Sequence, residues 1–272
     1  MVDRRPVREI SSLSNPVLKV FRRALAEGVT REGWLAVEGP HLLEEALQAA
    51  PRVAVESVLV ARSGGQKFSS LLARLPQEAE VIHVSDHLFA RVAQTESPQG
   101  IAALVERHAD DLDAVLARRD ALLLVACGLQ DPGNLGTMMR SGQALGATGL
   151  LSLEGTVSAF NPKAARASAG AVFHLPIFQD QKPGRLFPRL RAAAVRIVAA
   201  DRRSPAPASQ ADLRGSVAIL IGQEGAGLAP EISRQASLLL SIPIRAGTDS
   251  LNAATAASVF LYEVARQRGF RY

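Results

Sequence analysis

The chain has 272 residues, enough to bury a full core and to hold two domains of ordinary size. Only four of its 31 basic residues are lysines (Lys19, Lys67, Lys163 and Lys182), which leaves 27 arginines, a net charge of +5 and a pI near 10.0. That balance favours phosphate-bearing partners, because a planar guanidinium grips two oxygens at once, although a GC-rich genome produces the same arginine bias. The single cysteine, Cys127, excludes a disulfide framework and a cysteine zinc site and points to a reducing cytoplasm. No window reaches the ~20 apolar residues of a membrane span, so a soluble intracellular protein is expected.

Residues 15–26 read as a basic amphipathic helix carrying Lys19, Arg22 and Arg23, which is either an arm for RNA or a solvated face. Short Val-, Ile- and Leu-rich runs at 34–38, 53–60, 80–84 and 100–106 predict strands, with helical spacing at 42–49, 68–75 and 86–93 between them. Together they describe a small three-layer α/β module. From 108 to 120, aspartate and arginine alternate around Leu112, Val115 and Leu116, which predicts a helical connector. A near-continuous apolar run at 121–126 then suits a strand buried on both faces of a parallel sheet. Further strands are predicted at 149–153, 172–178, 196–200, 217–221 and 238–242, and helices at 135–145, 162–169, 185–194, 230–235 and 252–268. This alternation argues for a parallel α/β domain. The expected division is an N-terminal helical arm (1–30), a first domain (31–107), a linker (108–120) and a second domain (121–272).

A parallel sheet hosts many chemistries, so function has to be read from the loops. Neither G-x-G-x-x-G nor G-x-x-x-x-G-K follows the first strand of the second block. The glycine-dense run comes late instead, as Leu220-Ile221-Gly222-Gln223-Glu224-Gly225-Ala226-Gly227-Leu228, followed by Ser241-Ile242-Pro243-Ile244 and by Asp249-Ser250-Leu251-Asn252 opening an alanine-rich helix. Strands running into such loops bring exposed main chain to one sheet edge, and glycine lets that main chain approach a ligand closely. Taken singly, the polar residues have plainer readings. Asn134, Ser250 and Asn252 each suit a helix N-cap, and Glu224 suits a turn. Histidines 41, 83, 87, 108 and 174 show no ligand-like grouping, so no metal is expected. His174 reads as a structural residue on a strand.

Taken together, three motifs resemble those of the SpoU (TrmH-like) RNA ribose 2'-O-methyltransferases. Asp131-Pro132-Gly133-Asn134-Leu135-Gly136 through Arg140 is similar to the first, Ile221 to Leu228 to the second, and Ile242-Pro243-Ile244 with Ser250-Leu251-Asn252 to the third. The first block is similar to the small ribosomal-protein-like substrate-binding domain often fused ahead of that catalytic domain. Departures from the pattern are Gln223 in the second motif and Ala253-Ala254 in the third.

The resemblance implies a SPOUT domain, a parallel sheet with a deep trefoil knot that binds S-adenosylmethionine (AdoMet) and works as a homodimer. It implies transfer of the donor methyl to a ribose 2'-hydroxyl of structured RNA, with ribosomal RNA favoured over transfer RNA. Asn134, Arg140, Glu224, Ser250 and Asn252 match the catalytic positions. Leu220, Gly222, Ile242, Ile244 and Leu251 match the cofactor pocket, and Arg31 and Arg140 are expected to touch RNA, as are Lys163 and Arg166 unless they, with Ser168, only decorate a helix. Arg140 cannot be a literal base, because a guanidinium deprotonates only at extreme pH. Glu224 either pairs with Arg140 or orients the substrate. Two other classes are an RNA-binding protein with the same fold that has lost catalysis and a nucleotide-dependent enzyme on a similar sheet.

Overall fold

In the computed structural model, which describes residues 6–271, the short apolar runs of the first third pair into a mixed five-stranded sheet. Residues 1–5 of the expected arm and Tyr272 lie outside the described residues. In chain order the elements are β1 (Val7–Ile10), α1 (Pro16–Glu27), β2 (Leu35–Glu38), α2 (Pro40–Gln48), β3 (Val53–Ala61), α3 (Arg62–Lys67), α4 (Ser69–Leu72), β4 (Glu80–Val84), α5 (Asp86–Val92) and β5 (Ile101–Arg107). The sheet order is β1-β4-β3-β5-β2, with β5 antiparallel to both neighbours and the β1, β4 and β3 pairings parallel. Helix α1 starts where Asn15 Oδ1 accepts the Val17 N–H at 2.9 Å and proline fills the first turn. Its apolar stripe buries Leu18, Phe21 and Leu25 against Leu59, Ile82 and Phe89.

The chain continues with α6 (Leu112–Leu116), β6 (Leu122–Ala126), α7 (Pro132–Ala144), β7 (Gly149–Leu153), α8 (Pro162–Ala167), α9 (Ala171–His174) and β8 (Ile177–Gln181). It ends with α10 (Pro183–Ala192), β9 (Arg196–Ala200), β10 (Val217–Ile221), α11 (Pro230–Ser233), β11 (Leu238–Leu240) and α12 (Ala253–Gln267). These strands form a six-stranded sheet, β11-β9-β10-β6-β7-β8, in which every pairing is parallel. Strands β6 and β10 lie at its centre and are buried throughout, which is why they read as unbroken apolar runs.

The molecule comprises two units. One gathers the residues up to Ala109 with Phe160–His174, the other Asp110–Ala159 and the residues from Leu175 onward. Helix α8 therefore belongs with the first sheet, where it packs on β2 and α1. Gly28, at the end of α1, lies so close to the Phe160 carbonyl that a Cβ there would sit 2.0 Å from its oxygen.

Three expectations need correction. The strand expected at 172–178 is instead the helical turn α9 followed by β8, because Val172 and Phe173 are buried by helical packing and Pro176 separates the two elements. His174 accordingly ends a helix, where its Nε2 meets Glu45 Oε2 at 3.1 Å. The helix expected at 68–75 is only the short α4, and a second short helix, α3, precedes it, the two meeting at Phe68.

Candidate active site

The carboxyl ends of β9, β10 and β11 open onto a cavity of about 240 Å³ in the second unit. Crevices at the carboxyl ends of parallel strands are where ligands bind in such sheets. One wall is the turn after β10. The Gln223 N–H donates to the Gly227 carbonyl at 3.0 Å, the Gly227 N–H returns a bond to Gln223 at 2.9 Å, and the Ala226 N–H closes on Glu224 at 2.9 Å. Gly222 enters this turn so tightly that a Cβ would lie 2.3 Å from the Gly227 carbonyl carbon and 2.5 Å from the Leu228 nitrogen. No larger residue fits without moving main chain.

The opposite wall is the run from Ile242 to Leu251, which leads into α12. Gly222, Ile242, Ile244 and Leu251 all line the cavity, and no hydrogen bond among the described residues uses their main-chain groups. A pocket with unpaired N–H and C=O groups beside isoleucine, leucine and Phe260 side chains suits a ligand with a hydrogen-bonding base and an apolar face. Leu220 lies elsewhere: its side chain is fully buried in the core between sheet and helices and does not line the cavity.

Three polar side chains from separate parts of the chain converge beside this cavity. Asn134 Nδ2 and Asn252 Nδ2 both donate to Glu224 Oε1 at 2.5 Å, and Asn252 Nδ2 also reaches Asn134 Oδ1 at 2.9 Å. Position 134 is not a cap, because Asp131 fills that role by accepting the Gly133 N–H at 2.9 Å. Asn252 does both jobs. Its Oδ1 accepts the Ala254 and Thr255 N–H groups at 2.9 and 3.1 Å while its amide faces Glu224. The small Ala253 lets the helix start press against the carboxylate, with its N–H 3.4 Å from Glu224 Oε1. Helices α7 and α12 pack side by side, and a Ser258–Ser141 hydroxyl bond of 2.8 Å ties them two turns further on.

Ser250 lines the cavity and is exposed. Arg140 stands elsewhere on α7, about 9 Å further along the axis than Asn134 and roughly two-thirds of a turn round. It is exposed, does not line the cavity, and forms no ion pair with Glu224. Arg31, Lys163 and Arg166 are exposed on the first unit, whereas Ser168 beside them is buried and bonds the Ala165 carbonyl at 2.7 Å.

Sequence reasoning passed over Asp201, Arg202 and Arg203, which follow β9 and line the cavity. The signal was available, since they follow the carboxyl end of a strand beside β10 in the parallel sheet. The Asp201 carboxylate is held below the usual range by the Arg203 main-chain N–H, at 2.9 Å, and by the Arg203 guanidinium. Cys127, at the end of β6, is buried, and that burial pushes its thiol up to about 12, so it stays protonated and inert. Among the described residues no cluster of histidine, cysteine or carboxylate could hold a metal ion, and no helix is long and apolar enough to cross a membrane.

The pattern of the SpoU rRNA methylase family matches residues 121–262, more than half of the chain. This chain belongs to the SpoU rRNA methylase family. Ahead of the SpoU match, residues 25–103 match an MRM3-like substrate-binding domain. The chain is 30% identical over 263 residues to the 23S rRNA (guanosine(2553)-2'-O)-methyltransferase RlmP of Bacillus subtilis, covering 95% of this chain and 99% of that protein. Among solved structures it is similar to the AdoMet-bound rRNA methyltransferase from Sinorhizobium meliloti, at 28% identity and a TM-score of 0.84 over 96% of this chain and 98% of that one. It is also similar to the SpoU methyltransferase AviRb from Streptomyces viridochromogenes in complex with AdoMet, at 29% identity and a TM-score of 0.83 over 93% and 98%. The SpoU match contains Asn134, Arg140, Glu224, Ser250, Asn252 and the whole cavity wall.

Proposed function

We propose that the chain transfers a methyl group from AdoMet to a ribose 2'-hydroxyl of structured ribosomal RNA. The observation that carries this reading is the joining of Asn134, Glu224 and Asn252 beside a cavity whose lining offers unpaired main-chain groups. The kinship with AdoMet-bound SpoU structures and a 23S rRNA 2'-O-methyltransferase supports it. The main chain of Gly222, Ile242 and Leu251 would hold the adenosine, and Ile242 and Ile244 would wall it in. AdoMet bound there supplies a methyl carbon activated by its sulfonium.

The remaining work falls to this chain's own residues, which must align the acceptor oxygen with that carbon and stabilise charge as its proton leaves. Glu224, fixed by the two asparagine amides, orients the acceptor ribose, and Ser250 offers a hydroxyl at the cavity rim. Arg140 grips an RNA phosphate and stabilises the developing negative charge on the 2'-oxygen, the proton passing to phosphate or water. Arg31, Lys163 and Arg166 contact the RNA backbone, and residues 31–107 act as the substrate-binding domain. We further read the catalytic domain, residues 121–272, as a trefoil-knotted homodimer in which paired domains complete each site. Exposed apolar side chains on α12, Val259 at 38% and Tyr262 at 52%, support a partner surface there. The buried free thiol of Cys127 suits the reducing cytoplasm, where ribosomal RNA is the substrate.

The test is transfer from methyl-tritiated AdoMet to ribosomal RNA lacking the modification, followed by alkaline hydrolysis. A 2'-O-methyl group blocks cleavage of the adjoining phosphodiester, so label is expected in alkali-resistant dinucleotides. Label in mononucleotides would mean base methylation. AdoMet and RNA binding without transfer would favour the alternative, an RNA-binding protein that has lost catalysis.

A further inference from the structure

Four residues of the run 242–251, namely Ile242, Ile244, Ser250 and Leu251, line the cavity, yet the run is almost untied. Upstream it is anchored at Ser241, whose N–H donates to the Ala206 carbonyl at 2.9 Å and whose carbonyl accepts the Ala208 N–H at 2.8 Å. Downstream it is anchored at Asn252. Between these anchors, a single hydrogen bond among the described residues joins the run to any other part of the chain: Arg202 Nη1 donates to the Asp249 carbonyl at 2.6 Å. The Thr248 N–H bonds only within the run, to Arg245 at 3.2 Å. Residues 243–250 are all exposed, so packing adds little restraint.

The base of Arg202 is firm by contrast. Its neighbour Asp201 donates its N–H to the Leu240 carbonyl of β11 at 2.9 Å, accepts the Arg203 N–H on its carboxylate at 2.9 Å, and accepts the Ser204 N–H on its carbonyl at 3.1 Å. A rigid turn thus projects one guanidinium across the cavity mouth to a loose strand of chain. One of five N–H donors is used on the carbonyl, and a charged donor to a carbonyl makes a stronger bond than a neutral one.

We infer that Arg202 is a latch, a positioning residue that holds the run 242–251 against the donor cavity and thereby sets the affinity for the methyl donor. The latched carbonyl is next to Ser250 and three residues from Asn252, so the same contact steadies the approach to the Asn134–Glu224–Asn252 cluster. This rests on the cavity being the AdoMet site, as proposed above.

The test uses the full chain with Arg202→Ala, Arg202→Met, which keeps the stem without a donor, and Arg202→Lys, which keeps a charged donor. Two readouts apply: AdoMet affinity by calorimetry, and the rate of tryptic cleavage after Arg245 measured without cofactor. Ala and Met are expected to weaken AdoMet about tenfold and to speed cleavage at Arg245 by a similar factor. Lysine should recover much of both. If Ala melts well below the parent, Met against Lys at matched melting temperature decides. Ala and Met within about twofold of the parent in both readouts overturn the latch, as does a lysine variant no better than methionine. A parent that binds no AdoMet sinks the methyl-transfer reading instead, and the cofactor-free cleavage comparison still tests the latch by itself.

Discussion

The cavity has two walls built in opposite ways. The turn after β10 closes on itself with reciprocal main-chain bonds between Gln223 and Gly227, which pin its two ends together, and a third bond joins Ala226 to Glu224 inside it. The run from Ile242 to Leu251 has one external bond among the described residues and exposed side chains along most of its length. A pocket with one fixed and one adjustable wall can pre-organise part of its ligand contacts and still admit the ligand, and loops of low local stability are the ones that move on binding. Restraint therefore follows main-chain bonding rather than the distance of a residue from the ligand.

The largest effect is expected where the fixed wall is challenged. Gly222→Ala places a methyl group 2.3 Å from main-chain carbon at Gly227, and no flexible side chain is there to yield. Overpacking of this kind costs roughly 1–3 kcal/mol, and the turn that carries Glu224 is displaced with it. AdoMet affinity should fall at least about a hundredfold, with a lower melting temperature. An alanine variant that binds AdoMet normally would show that the turn is not locked.

Arg140 stands outside both walls, so its effect should separate from theirs. Arg140→Lys keeps charge but loses the planar fork, and turnover should drop about thirty- to hundredfold while AdoMet affinity stays within about twofold. Steady-state kinetics beside calorimetry reads both quantities. Collapse of AdoMet binding instead would mean that Arg140 serves the donor pocket and not the RNA.

Asn252 sits where the adjustable wall meets α12, and its two roles can be split. Serine caps a helix about as well as asparagine, so Asn252→Ser should keep the melting temperature within a degree or two. It removes the amide that reaches Glu224 and Asn134, and turnover should fall about tenfold. Loss of stability with unchanged turnover would reduce Asn252 to a cap.

These cases also show what could be read in advance. The residues meeting at the site were legible because Asn134, Glu224 and Asn252 carry motif identities that survive without any knowledge of packing. The double role of Asn252 was not, since a cap and a site residue look alike until the Glu224 contact is seen. The stretch 172–178 was misread because a short apolar run does not distinguish a buried helical turn from a strand. Strand β1 went unnoticed for a different reason. Only Ile10 of its four residues is buried, so its signal comes from pairing with β4 and not from alternation. Arg202 was invisible as a positioning group because its acceptor is a main-chain carbonyl 47 residues away, which no side-chain pattern encodes.

The smallest effect should come from the same substitution on the loose wall. Gly247 has φ +87°, a conformation that costs an L-residue roughly 1–2 kcal/mol when it is enforced. Nothing lies within 4 Å of a Cβ there, and among the described residues the run around it carries one external bond, made two residues further on at Asp249. The one bond that favours the angle is the local turn from Arg245 to Thr248, 3.2 Å long and exposed, so the run can give up that turn, relax to a negative φ and shed most of the cost. Gly247→Ala should therefore shift the melting temperature by no more than about a degree and AdoMet affinity by no more than about twofold. A loss approaching that of Gly222→Ala would mean that the run is held as firmly as the turn opposite, and the contrast between the two walls would disappear.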